Sequence, residues 1–537
     1  MFAHQMFGAL PFRGGLLRYR LAPPPYIAQG QVMNRSASSF TLLAAFTLAA
    51  CSPDLVSPEM TPSSPKFAQT AGASSRHLVL DKAREGGESF AARIAALGGS
   101  VDSYHAGSGF AVVTGLSSAA STSLTASGFS VQPDVRVAAG LPAKTAEADV
   151  SEVATEINSQ ANPTTASRYT WQWNMRLVNA PAAWAAGKLG SSTVTVAILD
   201  TGLDYDAPDL NGLVDLSRSK SFMDSFVGVQ DNPATPEDEY TPIIPADDVI
   251  AAALGRHPVV DLHGHGTNVA TQVSSKAAAL AGVTSRTTLI GVKVLGANGY
   301  GDLSDILNGV LWAADHGADV ANMSLGGGFG KAGNGYYVGL INSVFNYAKD
   351  QGMVIVVAAG NSGINLQYNG NTYSTYCDAA HVICVSSVGP SLATSTNLDE
   401  PSFFTNFGKN SVDIAAPGGN AFFNAKGEIV PSAWPWGTDI ASWVWSFCAK
   451  QRLVIQKAAD GINGNIFLTA CAAGNRLTGN IGTSQASPHV AGLAALLVAQ
   501  GVTDPAAIKQ RIQKSADPIA SSAYGRGRIN VKKALGL

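Results

Sequence analysis

From about Trp171 onward, short apolar runs alternate with stretches of helical spacing. Residues 193–199, 289–295, 319–324 and 353–358 are runs with few polar interruptions, the pattern expected of strands covered on both faces. Between them, residues 303–316 repeat apolar positions at helical intervals and stop at Gly317, residues 337–350 do the same, and His265 opens another helix-suited stretch. Strand–helix alternation of this kind predicts an α/β fold, a mostly parallel doubly wound sheet with helices on both faces. Sites in such sheets lie beyond the carboxyl ends of the strands. Asp200, Ser324 and Asn361 all fall at such ends.

The chain ahead of this body reads differently. Residues 76–138 predict a small α+β unit in the order strand–helix–strand–strand–helix–strand, with strand signals at 76–80, 109–113 and 129–132. A helix over 88–97 is stopped by Gly98-Gly99, and a Ser/Ala-rich helix begins near Ser117. A stand-alone binding module would have the same order. Residues 139–168 form an Ala/Thr/Glu-rich connector suited to processing, and residues 51–75 a Pro/Ser/Thr-rich tether. Within residues 1–50, the uncharged apolar stretch 40–50 has the length of an export-signal core rather than a membrane span. Met33-Asn34-Arg35 is a better start for such a signal than Met1. Leu48-Ala49-Ala50-Cys51 resembles a lipoprotein cleavage box, which makes Cys51 the expected lipidation site and places the protein in the cell envelope or outside the cell.

The 537 residues exceed one ordinary domain, and 46% are hydrophobic, enough for a substantial core. A net charge of −3 gives no reason to expect nucleic acid as a partner. Besides Cys51 there are Cys377, Cys384, Cys448 and Cys471, which in an exported chain suggest two disulfides.

Three segments carry candidate chemistry. Asp200 ends a buried-looking strand, where a carboxylate needs a partner. His265 lies between two glycines. Ser484 opens a small-residue helix whose positive end favours a nucleophile. Singly, each has an ordinary reading: a turn Asp, a metal-ligand pair with His263, and an N-cap serine. Together they supply an orienting acid, a base and a nucleophile. Asn361, after another strand, suits an oxyanion donor. Zinc catalysis needs three protein ligands, and no third follows His263 and His265.

Asp200-Thr201-Gly202, Gly264-His265-Gly266-Thr267, Ser324-Leu325-Gly326-Gly327, Ala358-Ala359-Gly360-Asn361 and Gly482-Thr483-Ser484 together resemble the subtilisin-like serine proteases. The resemblance covers roughly 169–537. It implies a zymogen-derived serine endopeptidase acting on protein or peptide substrates, with Asp200, His265, Ser484 and Asn361 in catalysis. Ser324, Leu325, Gly326, Ala358, Ala359 and Gly360 would bind substrate, the first three as an extended strand. Residues 76–138 would be a small ferredoxin-like prodomain, an inhibitor and folding chaperone. No cofactor is implied for the chemistry, and Asp209 matches a structural calcium ligand. Asn268 and Gln485 depart from the family, where His and Met are usual. Insertions span 227–257 and 419–480; the second holds Trp434, Trp436, Trp443 and Trp445 with Cys448 and Cys471, read as a stapled apolar cluster or an aromatic rim over the cleft. A catalytically silent surface-binding protein on the same fold, or an esterase, is the alternative.

Overall fold

A seven-stranded sheet, parallel throughout, forms the centre of the body. The computed structural model describes residues 76–138, 159–224, 246–373, 375–390, 397–420, 422–423, 429–430, 443–456, 465–468 and 476–537. The signal, tether, Cys51, Trp434, Trp436 and Cys471 lie outside them.

The amino-terminal unit runs β1 (His77–Leu80), α1 (Gly87–Ala96), β2 (Ser100–His105), β3 (Phe110–Thr114), α2 (Ser118–Ala126) and β4 (Ser130–Pro133). Its antiparallel sheet has the order β2-β3-β1-β4. Ser117 caps α2 by accepting from Ala120 N at 3.1 Å, so the second helix begins where the Ser/Ala-rich stretch does. A last strand, β5 (Arg136–Ala138), leaves this sheet and pairs with the body.

The body continues through α3 (Trp173–Leu177), α4 (Ala180–Ala185), β6 (Thr195–Asp200), β7 (Lys220–Ser221), α5 (Asp247–Ala253), α6 (His265–Val273), β8 (Thr288–Lys293), β9 (Tyr300–Asp302) and α7 (Leu303–Asp315). Then follow β10 (Val320–Met323), β11 (Phe329–Gly330), α8 (Gly335–Asp350), β12 (Val354–Ala358), β13 (Thr372–Tyr373), β14 (Val382–Val388) and β15 (Ile414–Pro417). The sheet order is β15-β14-β12-β10-β6-β8-β7.

Alternate residues of each strand feed opposite cores. From β6, Val196 and Ile198 face the layer of α6 and the late helix α9 (Thr483–Val498), while Ala197 and Leu199 face α7 and α8. Residues of β12 divide the same way, Val354 and Val356 to one side and Ile355 and Val357 to the other. The amino-terminal sheet adds Leu78, Leu80, Phe110 and Val112 to the α7/α8 side, so the two units share one apolar core.

Residues 159–168, read from sequence as the end of the connector, lie on the body: Ser167 and Arg168 donate backbone N–H to Ala278 and Ala279. The insertion beginning at 227 ends in α5, anchored by a buried ion pair of 2.7 Å between Asp247 and Lys293. In the second insertion, residues 444–447 pair with 477–480 in the two-stranded ribbon that leads into Ser484. Trp443 and Trp445 are buried in the α6/α9 core, and Trp443 O accepts from Trp173 Nε1. These two tryptophans therefore belong to an apolar cluster and not to an exposed rim. Cys377 and Cys384 form a disulfide. Cys448 is disulfide-bonded. Among the described residues no helix is long and apolar enough to cross a membrane.

Candidate active site

Asp200 is the last residue of β6 and is fully buried. Its Oδ1 accepts from its neighbour's backbone, Thr201 N, and from His265 Nδ1, each at 2.7 Å. The second bond fixes the ring orientation and, with Nδ1 as donor, leaves the lone pair of the neutral ring on Nε2. Burial pushes the His265 pKa down, but the charge and hydrogen bond of Asp200 push it further up, to above the ordinary 6.5. His265 Nε2 is buried and has no hydrogen-bond partner among the described residues.

The placement of His265 follows from its neighbours. A Cβ on Gly266 would lie 2.1 Å from Gly202 O, so only glycine lets α6 start against the end of β6. Asp261, also buried, holds the turn before the helix. Its Oδ1 accepts from Thr201 Oγ1, His263 N and Gly264 N, and its Oδ2 from Thr267 N and Oγ1. Thr201 Oγ1 in turn accepts from Gly266 N at 2.9 Å. Asp261 is thus a positioning residue, and the threonines of the two motifs link its carboxylate to both segments. His263 is pushed down to about 4, chiefly by burial and then by His265, and stays neutral beside His265.

Ser484 stands in the first turn of α9, buried beside the end of β10. Its Oγ donates to Ser324 O at 3.2 Å. Pro488 explains part of this arrangement. It has no N–H to give to the carbonyl four residues earlier, which is that of Ser484. Ser324 Oγ donates to that carbonyl instead, at 2.8 Å, and also lies 2.9 Å from Ser487 Oγ. The side chain of Ser324 therefore ties the helix of Ser484 to the sheet, and Ser487 belongs to this support.

Asn361 follows Ala358, Ala359 and Gly360 at the end of β12. Its Oδ1 accepts from Thr483 N at 2.8 Å and Thr483 Oγ1 at 2.9 Å, while Gly360 N donates to Thr483 Oγ1 at 3.0 Å. With the carbonyl end held, the amide end is the side chain's remaining donor group. Asn406 supports the same loop: its Nδ2 donates to Ala359 O at 2.8 Å, and its Oδ1 accepts from Ser362 N and Ile364 N. Thr483 adjoins Ser484 in sequence and could have been suspected. Asn406, from a loop far along the chain, gives no sequence signal.

The two departures, Asn268 and Gln485, meet each other. Gln485 Nε2 donates to Asn268 Oδ1 at 3.2 Å, and Asn268 Nδ2 to Ser446 Oγ at 3.0 Å. They bridge the helices of His265 and Ser484 and join both to the second insertion. Behind them, His489 Nδ1 donates to Gln485 O, and its Nε2 accepts from Asn174 Nδ2. Burial holds His489 down at about 4, so it serves this network as a neutral ring.

Asp209 is buried, and its two oxygens accept from Ala279 N and Leu280 N, anchoring the loop that follows α6. Burial raises it to about 7. Among the described residues no group of three or more His, Cys, Asp or Glu is placed to hold a metal ion.

The alignment of Asp200, His265, Ser484 and Asn361 at neighbouring strand and helix ends can support attack by an activated serine on a carbonyl carbon. Comparison with known proteins bears on the same region. Residues 191–527 match the family model described as the subtilase family. Thermophilic serine proteinase of Bacillus sp. (strain AK1) is 31% identical over 358 residues, 66% of this chain, which spans 64% of that protein's length. Thermitase of Thermoactinomyces vulgaris is 28% identical over 369 residues, 68% of this chain and 95% of its own. Among solved structures, the epidermin leader peptide processing serine protease of Staphylococcus aureus superposes with a TM-score of 0.58 at 21% identity, over 86% of this chain and 98% of that one, a likeness of fold.

Proposed function

The chain belongs to the subtilase family of serine proteases, and from that premise we propose that it is an exported endopeptidase, made as a zymogen, that cleaves protein or peptide substrates through an acyl-enzyme. The observation that carries the reading is the buried bond from Asp200 to His265 Nδ1, which leaves Nε2 without a hydrogen-bond partner among the described residues. In the reaction Ser484 Oγ turns from Ser324 O toward His265 Nε2, which takes its proton as Oγ attacks. Asp200 stabilises the imidazolium. The carbonyl oxygen, now an oxyanion, accepts from Asn361 Nδ2 and from the backbone N–H of Ser484 in the first turn of α9. His265 then passes its proton to the leaving amine. Water, activated by the same ring, releases the acyl group.

Substrate lies as an extended strand beside Ser324, Leu325 and Gly326, with the loop of Ala358, Ala359 and Gly360 opposite. Residues 76–138 act as the intramolecular inhibitor. In support, β5 adds antiparallel to the body's edge, pairing Arg136 with Asp302, Val137 with Gly301 and Ala138 with Tyr300. The docked unit is also tied by Tyr337 Oη to Pro133 O at 2.7 Å and Ser343 Oγ to Ser108 O at 2.8 Å. Processing falls in the connector, and Cys51 carries the lipid that holds the mature protein at a membrane surface. A structural calcium would take Asp209 as one ligand, beside the loop after α6 whose Ala279 N and Leu280 N it accepts from.

Labelling with a fluorophosphonate tests the central claim. An adduct mapped by mass spectrometry to Ser484, absent in Ser484→Ala and His265→Ala, is expected; an unmodified Ser484 in the mature protein refutes it. Intact mass of the membrane fraction, with a lipid increment on Cys51, tests the anchor.

A further inference from the structure

The two insertions are remote from each other in sequence, yet both bear on one short stretch, residues 259–262, which leads into His265. The body fixes the inner side of this stretch. Leu203 N donates to Val259 O at 2.8 Å and Asp261 N to Leu203 O at 3.3 Å, so it runs beside the segment that follows Asp200. Two further carbonyls, those of Val260 and Leu262, are taken by donors that the insertions hold or supply.

Val260 O accepts from Lys293 Nζ at 2.8 Å. Lys293 is fully buried, and a buried ammonium needs a counter-charge. Asp247, which opens α5 in the first insertion, provides it: its Oδ2 lies 2.7 Å from Nζ, and its Oδ1 accepts from Ala297 N. Leu262 O accepts from Leu453 N of the second insertion at 2.9 Å. Just before it, Lys450 N donates to Asp204 Oδ2 at 2.9 Å, and Asp204 N donates to Thr267 Oγ1 in the first turn of α6. Side chains join these ties. Ala251 of the first insertion forms a buried apolar cluster with Val260, Leu262 and Ala297, and Ile250 and Leu453 pack against it. Further along α6, Gln272 Nε2 donates to Trp445 O of the second insertion at 2.8 Å.

The backbone of this stretch sets where α6 begins, and so where the His265 ring stands. A misplacement of about 1 Å, even one that originates far from the chemistry, can cost about a hundredfold in rate. We propose that the two insertions act together as a clamp on residues 259–262 that holds His265 against Asp200 and in reach of Ser484, with Asp204, Asp247 and Leu453 as positioning residues. The clamp rests on the protease reading and gives both insertions a part in that reaction.

The test uses the mature protein obtained from the full chain. Active sites are counted by fluorophosphonate labelling mapped to Ser484, and kcat, KM and the pH dependence of kcat/KM are measured on one chromogenic peptide anilide. Leu453→Pro removes the N–H that Leu262 O accepts, at the first residue of a strand, where proline is tolerated. Asp204→Ala removes the acceptor of Lys450 N, and Asp204→Asn restores one. Asp247→Asn removes the charge that faces Lys293. Leu453→Pro, Asp204→Ala and Asp247→Asn are each expected to lower kcat per labelled site by about ten- to a hundredfold, with KM little changed. The acid limb of kcat/KM should also move to lower pH, because a ring that drifts from Asp200 loses the charge that raises it. Asp204→Asn should recover most of both. Wild-type kcat per labelled site together with an unmoved limb, whatever the number of sites labelled, overturns the clamp, since the insertions then serve folding alone. Should the Asp204 and Asp247 variants fail to fold, Leu453→Pro, which leaves every buried charge in place, decides by the same readouts. Absence of labelling at wild-type Ser484 overturns the protease reading, and the clamp's part in catalysis with it.

Discussion

At the scale of single residues, the site depends on side chains that hold other side chains. Asp200 raises His265 above its ordinary range, and the base of the proposed mechanism works only when neutral, so kcat/KM should rise with pH through a value above 6.5. Asp200→Asn removes the charge that sustains the imidazolium. Its acid limb should move to lower pH while kcat drops by about 10⁴-fold; a pH–rate profile of the two proteins checks both effects. A limb that stays in place would mean that another group titrates. Thr483 acts one step further back. Thr483→Val removes the hydroxyl donor to Asn361 Oδ1 and the acceptor for Gly360 N, but leaves the backbone donor. Because the held amide is needed mainly in the transition state, kcat should fall by about tenfold with KM little changed, less than the loss of an oxyanion donor itself. Steady-state kinetics on one peptide substrate measure the split.

At the scale of elements, α6 and α9 must keep His265 and Ser484 in register. The contact between Gln485 and Asn268 crosses that interface in place of an apolar one. Gln485→Met alone strands Asn268 Oδ1, and Asn268→Ala alone strands Gln485 Nε2; each should destabilise by about 1–3 kcal/mol. The double variant should cost less than the sum, and urea unfolding of the four proteins in a double-mutant cycle gives the coupling. Additive losses would mean that the bridge contributes nothing. Gly266→Ala should prevent folding altogether, since its Cβ would collide with the backbone oxygen of Gly202. Expression in soluble form, measured beside Gly335→Ala, where a Cβ meets nothing, is the check.

At the scale of the whole molecule, the amino-terminal unit docks through a set of carboxylates. Asp134 Oδ1 accepts from Ser304 N at the start of α7, beside Asp302 and Asp305, with Arg76 and Arg136 as the facing cations and the Tyr337 and Tyr376 hydroxyls nearby. Burial, and then the charge of Asp302, raise docked Asp134 to about 6 from an ordinary 3.8. The docked form therefore holds a proton that the released form gives up. Docking is strongest below the lower value and weakens as pH rises through the higher one. Asp305 is raised as well, so it acts in the same direction. With Ser484→Ala protein nicked in the connector by an added protease, more of the amino-terminal unit should co-elute with the body at pH 4.5 than at pH 7. Asp134→Asn, which can still accept from Ser304 N, should lessen that difference. Equal retention at both values in the protein that keeps Asp134 would remove the acid cluster from any part in release.

The layered architecture could be read directly from the chain because buried parallel strands and their covering helices impose periods that survive without tertiary information. The strand expected over 193–199 is β6, Thr195–Asp200, and the helix expected from 303 to 316 is α7, Leu303–Asp315. Motif residues were legible for a related reason: glycines such as Gly266 and acids such as Asp200 are unusual at the ends of buried segments and so stand out. Boundaries set by docking were not legible. Residues 159–168 are polar enough to read as linker, yet they lie along residues 276–285; β5 is too short to have a period and exists because β9 offers it an edge. The roles of Asn406 and Asp261, and the partnership of Asn268 with Gln485, were likewise hidden. Each depends on distances between groups remote in sequence, and a pattern along one chain carries no information about which remote polar atoms will meet. Sequence alone thus determined the elements and the candidate chemical groups, because local periodicity and residue type encode them. Only the tertiary structure decided which residues hold those groups in place and how much room is left between them, because both follow from packing.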